Sequence, residues 1–184
     1  MAATSNKSII KGSDMMLFLN DTAGQDPSAN VSNFAAIGYA SSCSITLSAE
    51  ATSVANKDFG NGWDSNIVGN RSWTANTEAM YAEDVANGAR TFRSLVDAYL
   101  NGKVVSLCWA PTENINPANE LNRKHNVTDV SGQKWVPQKG VGQTKYVVLY
   151  GDAIITNLTA NANNGESASY TVDFAGAGPI KMLP

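Results

Sequence analysis

Over residues 44–52 apolar and polar side chains alternate strictly, Ile45, Leu47, Ala49 and Ala51 against Ser44, Thr46, Ser48, Glu50 and Thr52. The alternation returns over residues 70–80, with Trp73, Ala75, Thr77 and Ala79 against Asn70, Ser72, Thr74, Asn76 and Glu78. A period of two is that of a strand wet on one face, so residues 44–80 read as one long hairpin. An even index sum, as in Ile45 opposite Ala79 and Ala51 opposite Trp73, puts both apolar sets on one face. A second hairpin repeats the device. Ile154, Leu158, Ala160 and Ala162 answer Ala168, Tyr170, Val172 and Phe174 across an Asn163-Asn164-Gly165 turn. Gly165 would take the left-handed position, with Ala160 opposite Ala168, Leu158 opposite Tyr170 and Ile154 opposite Phe174.

Short apolar runs at residues 15–19, 103–109 and 146–150 read as strands covered on both faces, the second ended by Pro111. Phe92, Leu95, Val96, Tyr99 and Leu100 form an amphipathic stripe. They predict one helix over residues 89–100, stopped by Asn101-Gly102 and lying across a sheet. Residues 1–14 read as a polar arm, 111–143 as a long loop, and 175–184 as a Gly-rich arm too flexible for a core. The expectation is a single, mainly β domain over residues 1–184, a β-sandwich or half-barrel with two long hairpins and one flanking helix.

Charge narrows the function. Lys and Arg number 13 against 16 Asp and Glu, which leaves no basic footprint for reading nucleic acid. The polar faces of the first hairpin are built of Ser, Thr and Asn with a few acids. Such a surface lacks the cations that dominate nucleic-acid affinity and would let it pass. The N-terminal residues have neither a charged n-region nor an apolar h-region, and no apolar run is long enough to cross a membrane, so assembly in a reducing cytoplasm is expected. Cys43 and Cys108 sit in separate apolar strands, as buried thiols would; a disulfide or a metal role is the alternative. His125 is the single histidine, and no nucleophile elbow, P-loop or paired-ligand motif is present. Glu83-Asp84 needs no role beyond a solvated turn or helix N-terminal charge. No catalytic residue, cofactor or metal is therefore expected.

Phe59 and Trp63, in the Gly-rich tip of residues 59–64, and Trp135 and Val136 in the long loop are the candidate subunit contacts. The open alternatives are a sugar-stacking platform using Trp63 and Trp135, as in a carbohydrate-binding β-sandwich on a virion or cell surface, and a loop tucked onto its own domain. Two long hairpins with so little apolar cover leave strand edges that invite pairing with further copies, and a closed ring removes such edges.

In the order Lys11-Gly12-Ser13-Asp14, strand, long hairpin, helix and closing hairpin with a Gly-rich tail, the chain resembles the major tail (tail tube) proteins of long-tailed bacteriophages. That group is related to the tube proteins of contractile injection systems. The resemblance implies a virion protein, assembled in the host cytoplasm into stacked hexameric rings around a conduit for genome ejection. DNA would pass without specific binding, and the tape measure, tail terminator and baseplate or sheath would be partners. It makes Ser44, Thr46, Ser48, Glu50, Asn70, Ser72, Thr74, Asn76 and Glu78 lumen-facing candidates. The inner tube of a contractile injection system is the near variant.

Overall fold

The computed structural model describes residues 12, 15–29, 33–54, 65–82, 89–114, 135–137 and 147–183. In chain order these form β1 (Met15–Asn20), β2 (Ala35–Ala36), β3 (Ala40–Val54), β4 (Ser65–Met80), α1 (Phe92–Leu100), β5 (Val105–Asn114), β6 (Trp135–Pro137), β7 (Leu149–Asn161), β8 (Ser169–Gly176) and β9 (Lys181–Met182). The fold is mainly β, as expected, with all strand pairs antiparallel and one helix among the described residues. The strands run in the order β2-β1-β5-β7-β8-β4-β3, with β6 added to β5 and β9 to β7.

One face of this sheet carries the main core. Leu17 and Leu19 of β1, Val105 and Leu107 of β5, and Ala153 and Ile155 of β7 join Tyr170, Val172 and Phe174 of β8 and Trp73, Ala75 and Ala79 of β4 in a single core. Leu95 and Ala98 of α1 close it. The opposite face changes character along the sheet. At the β1–β5 end it buries a second cluster of Met16, Phe18, Phe34, Ala36, Cys108, Ala110, Val148 and Leu183. At the β7–β8–β4–β3 end it is polar and open. The strands at residues 15–20 and 105–110 are thus covered on both faces, which their unbroken apolar runs required. Cys43 packs against the first cluster and Cys108 lies in the second, on opposite faces of the sheet, and both are free thiols. Burial raises the pKa of each.

From Ser42 to Ala49 the first hairpin keeps its expected face parity with a different register, and beyond a bulge the parity changes. Ile45 pairs with Ala75 and Leu47 with Trp73, where the expected alignment has Ala79 and Thr77, and a bulge between Ala49 and Ala51 brings Ala51 opposite Val68 instead of Trp73. Face alternation fixes only whether the index sum is odd or even, so even shifts are invisible to it. In the second hairpin Leu158 pairs with Val172 and Ala160 with Tyr170, two residues from the expected alignment. The connection spans residues 162–168, longer than a three-residue turn, and Gly165 does adopt a left-handed φ of 88°. A bulge between Ile155 and Asn157 turns Ile155 into the core and leaves Ile154 exposed.

The helix begins at Phe92, later than expected, because the Thr91 hydroxyl caps it by accepting from the Ser94 amide. Gly102 at φ 57° ends it as expected. Of the predicted stripe, Tyr99 and Leu100 are exposed, Leu100 at 75%, while Ala98 is buried in their place. Pro111 does not stop β5, which pairs with β1 through Pro111 and then passes to β6, where Glu113 meets Val136 and Asn114 meets Trp135. The long loop therefore contains strand at both described parts.

The Gly-rich C-terminal segment is docked rather than free. The Trp73 indole N–H donates to the Gly178 carbonyl at 2.8 Å, β9 pairs with Leu149 and Tyr150, and Leu183 is buried with its amide bonded to the Val148 carbonyl at 3.0 Å. Trp73 fits because Gly176 has no side chain: a Cβ there would lie 2.3–2.6 Å from the indole.

Tyr170 is packed under Phe92, ring centroids 5.2 Å apart, and burial pushes its phenol pKa up to about 12 from 10.0. The unfolded chain ionises this group from about pH 10, so unfolding gains a proton-release advantage as pH rises between 10 and 12. Stability is expected to be complete below pH 10 and to fall across that window. Absorbance titration near 295 nm checks it: one tyrosine should ionise only as the fold is lost.

Candidate functional site

The open face of the β7–β8–β4–β3 ribbon is the site, and its composition follows from strand register. Ser44 stands opposite Asn76, Asn76 opposite Asp173, and Asp173 opposite Asn157, giving one polar row across four strands. A parallel row runs Ser42, Glu78, Thr171, Thr159. Further toward the end of the first hairpin, Thr46 faces Thr74 and Ser48 faces Ser72. The Asp173 carboxylate is the centre. It accepts from the Asn76 amide on one oxygen and from the Asn157 amide at 3.0 Å on the other. Two neutral donors thus satisfy the acid without a cation.

Among the described residues of these four strands the one cation is Arg71, opposite Ala49 on the other face of the ribbon. The open face carries Glu78 and Asp173, with Glu50 at the bulge against Gly69. It is a hydroxyl- and amide-rich surface of neutral to acidic character.

Of the sequence-predicted residues, Ser44, Thr46, Ser48, Ser72, Thr74 and Glu78 are exposed on this face, and Asn76 is half-buried by its bond to Asp173. Glu50 and Asn70 are exposed at the bulge, where face alternation is interrupted. Missing from that set were Asn157, Thr159, Asn161, Ser169, Thr171 and Asp173, which the second hairpin contributes. The same alternation marked them as polar; their place beside β4 came only from the β4–β8 pairing. Phe59 and Trp63 lie outside the described residues. The backbones of Trp135 and Val136 pair with the chain's own β5.

The ribbon also has two unpaired edges among the described residues. β3 pairs only with β4, and β7 beyond Ala153 pairs only with β8. In addition, β4 pairs with β8 only from Thr74 to Met80, so its residues 65–73 and their β3 partners project beyond the sheet.

No curated protein matches the chain in sequence. Among solved structures, the tail of an empty gene transfer agent particle, refined helically with C6 symmetry, is similar at TM-score 0.62 and 16% identity, covering 96% of this chain and 100% of that one. The SPP1 tail tube is similar at TM-score 0.56 and 12% identity, covering 92% of this chain and 77% of that one. The sheath/tube terminator of the extracellular contractile injection system PVC follows at TM-score 0.51 and 12% identity, covering 96% and 98%. At such identities the likeness is one of fold. The sequence itself goes further, since residues 9–109 match the family described as phage tail tube protein. The chain belongs to the phage tail tube protein family and is a structural protein of the virion tail.

Proposed function

We propose that this tail tube subunit closes into hexameric rings that stack into a hollow conduit for the genome, with the open face of the β7–β8–β4–β3 ribbon lining the lumen. The observation that carries this reading is the pair of free edges. β3 and the outer part of β7 run in opposite directions on the two sides of the ribbon, so the β3 of one copy can continue the antiparallel ladder onto β7 of the next. Repeating that step and closing it pairs the β7 edge with the part of β3 beside it, amides and carbonyls that a lone copy leaves to water.

The lining then follows from chemistry. DNA affinity comes chiefly from lysine and arginine displacing counterions. A wall of Ser, Thr and Asn with Glu78 and Asp173 supplies no such cation, so the genome slides instead of sticking. The activity is assembly, without turnover or cofactor. Other tail proteins, such as the tape measure, the terminator and the baseplate or a sheath, would meet the ends and outside of the tube.

Electron microscopy of the purified, concentrated protein over a range of ionic strengths tests the reading. Rings or hollow tubes are expected. A compact monomer under every condition would overturn it.

A further inference from the structure

Two Asn-Gly pairs lie among the described residues, Asn101-Gly102 after α1 and Asn164-Gly165 between β7 and β8, and a third, Asn61-Gly62, lies outside them. Such a pair is chemically labile, because glycine has no side chain to keep its amide nitrogen away from the carboxamide carbon one residue back. Both described pairs are exposed, so access to water does not separate them. Their hydrogen bonds do.

At Asn101 each reacting group is held. The side-chain amide donates to the Asp97 carbonyl at 2.8 Å and to the Asp97 carboxylate at 2.9 Å. The Gly102 amide, which would be the nucleophile, donates to the Tyr99 carbonyl at 3.0 Å. Asp97 is itself fixed by Lys103 at 2.7 Å. The helix end thus locks both partners of the reaction.

At the second hairpin the bonds surround the pair without engaging it. The Glu166 amide donates to the Asn163 carbonyl at 3.3 Å, and the Asn163 side chain donates to the Glu166 carboxylate at 3.1 Å. Between them, neither the Asn164 carboxamide nor the Gly165 amide makes a hydrogen bond to a described residue. Space is open as well, since a Cβ on Gly165 would meet nothing within 4 Å.

We infer that Asn164 is a self-modification site, at which the folded chain converts a carboxamide to a carboxylate without an enzyme. The Gly165 nitrogen bonds to the side-chain carbonyl carbon of Asn164, the bond from that carbon to its amide nitrogen breaks, and ammonia departs with the proton that Gly165 gives up. The five-membered imide so formed takes up one water, which opens it at either carbonyl to an aspartyl or a β-linked isoaspartyl residue. Each event adds one negative charge beside Glu166, at the end of the ribbon where Asn161 pairs with Ser169. The β-linked product also lengthens the main chain of the turn by one carbon. The tip of the second hairpin therefore gathers charge as the protein ages, whether or not the subunit is in a tube.

The test holds folded and urea-unfolded full-length protein in warm, mildly alkaline buffer, with peptide mass spectrometry reading amide-to-acid conversion at each asparagine. In the folded protein Asn164 should convert ~tenfold or more faster than Asn101, whose three hydrogen bonds to residues 97 and 99 must break first. Unfolding removes those bonds and should bring the two rates together. The inference is overturned if Asn164 keeps its amide in the folded protein while the unfolded chain loses it. It is equally overturned if Asn101 keeps pace with Asn164 in the folded protein.

Discussion

Trp73→Ala is expected to lower the unfolding free energy of the unassembled subunit by about 3–5 kcal/mol, the usual cost of emptying a large aromatic site in a core. Trp73 is 5% exposed and bonds three parts of the chain. It stands on β4 at the root of the projecting ribbon, lies against Gly151 of β7 and Gly176 of β8, and donates to Gly178 in the C-terminal segment. Removing the indole leaves both a cavity and an unbonded Gly178 carbonyl, so β9 should loosen with it. Urea denaturation gives the first effect and amide exchange at residues 178–183 the second. Gly176→Ala probes the same joint from the other side. The added Cβ would overlap the indole and should cost about 1–3 kcal/mol by overpacking. A Trp73→Ala protein of unchanged stability would mean that the ribbon is not fastened to the body here.

The second large effect is on passage, not stability. Thr46 and Thr74 are exposed and directly opposite on the polar face. Converting both to Lys should change subunit stability by no more than about 1 kcal/mol, the cost of placing like charges across a strand pair. On the proposed lining, the same change puts two cations per copy along the path of the DNA. Retention of DNA should then rise by orders of magnitude at low salt and decline steeply as salt increases, since each phosphate neutralised contributes about −0.9 to the slope of log affinity against log salt. Particles built from this variant should eject poorly. Normal infectivity together with normal assembly would count against these residues lining the lumen.

How the site could be read in advance differs from residue to residue. Thr46, Thr74, Ser44 and Ser72 were visible as one polar face because strand geometry makes side chains alternate whatever the rest of the fold does. Asp173 was visible as polar but not as the centre of the face. That depends on β8 lying beside β4, nearly a hundred residues away in sequence, and on Asn76 and Asn157 reaching it from both sides. The bulges after Ala49 and after Ile155 were not legible, because an extra residue in one strand leaves no mark in an alternating pattern that either reading continues. Their consequences are large: one puts Val68 rather than Ile67 on the core-side face, the other chooses Ile155 over Ile154 for the core.

Local periodicity and backbone preference were enough for the two hairpins, the wet and apolar faces of each as far as its bulge, the doubly covered strands at residues 15–20 and 105–110, and the helix with its Gly102 stop. Long-range packing settled the registers, the bulges, the joining of two hairpins into one four-strand ribbon with free edges, the burial of Ala98 in place of Leu100, and the docking of the Gly-rich tail onto Trp73. These depend on which distant surfaces meet, and a glycine that is flexible alone becomes a required contact once an indole fills the space beside it.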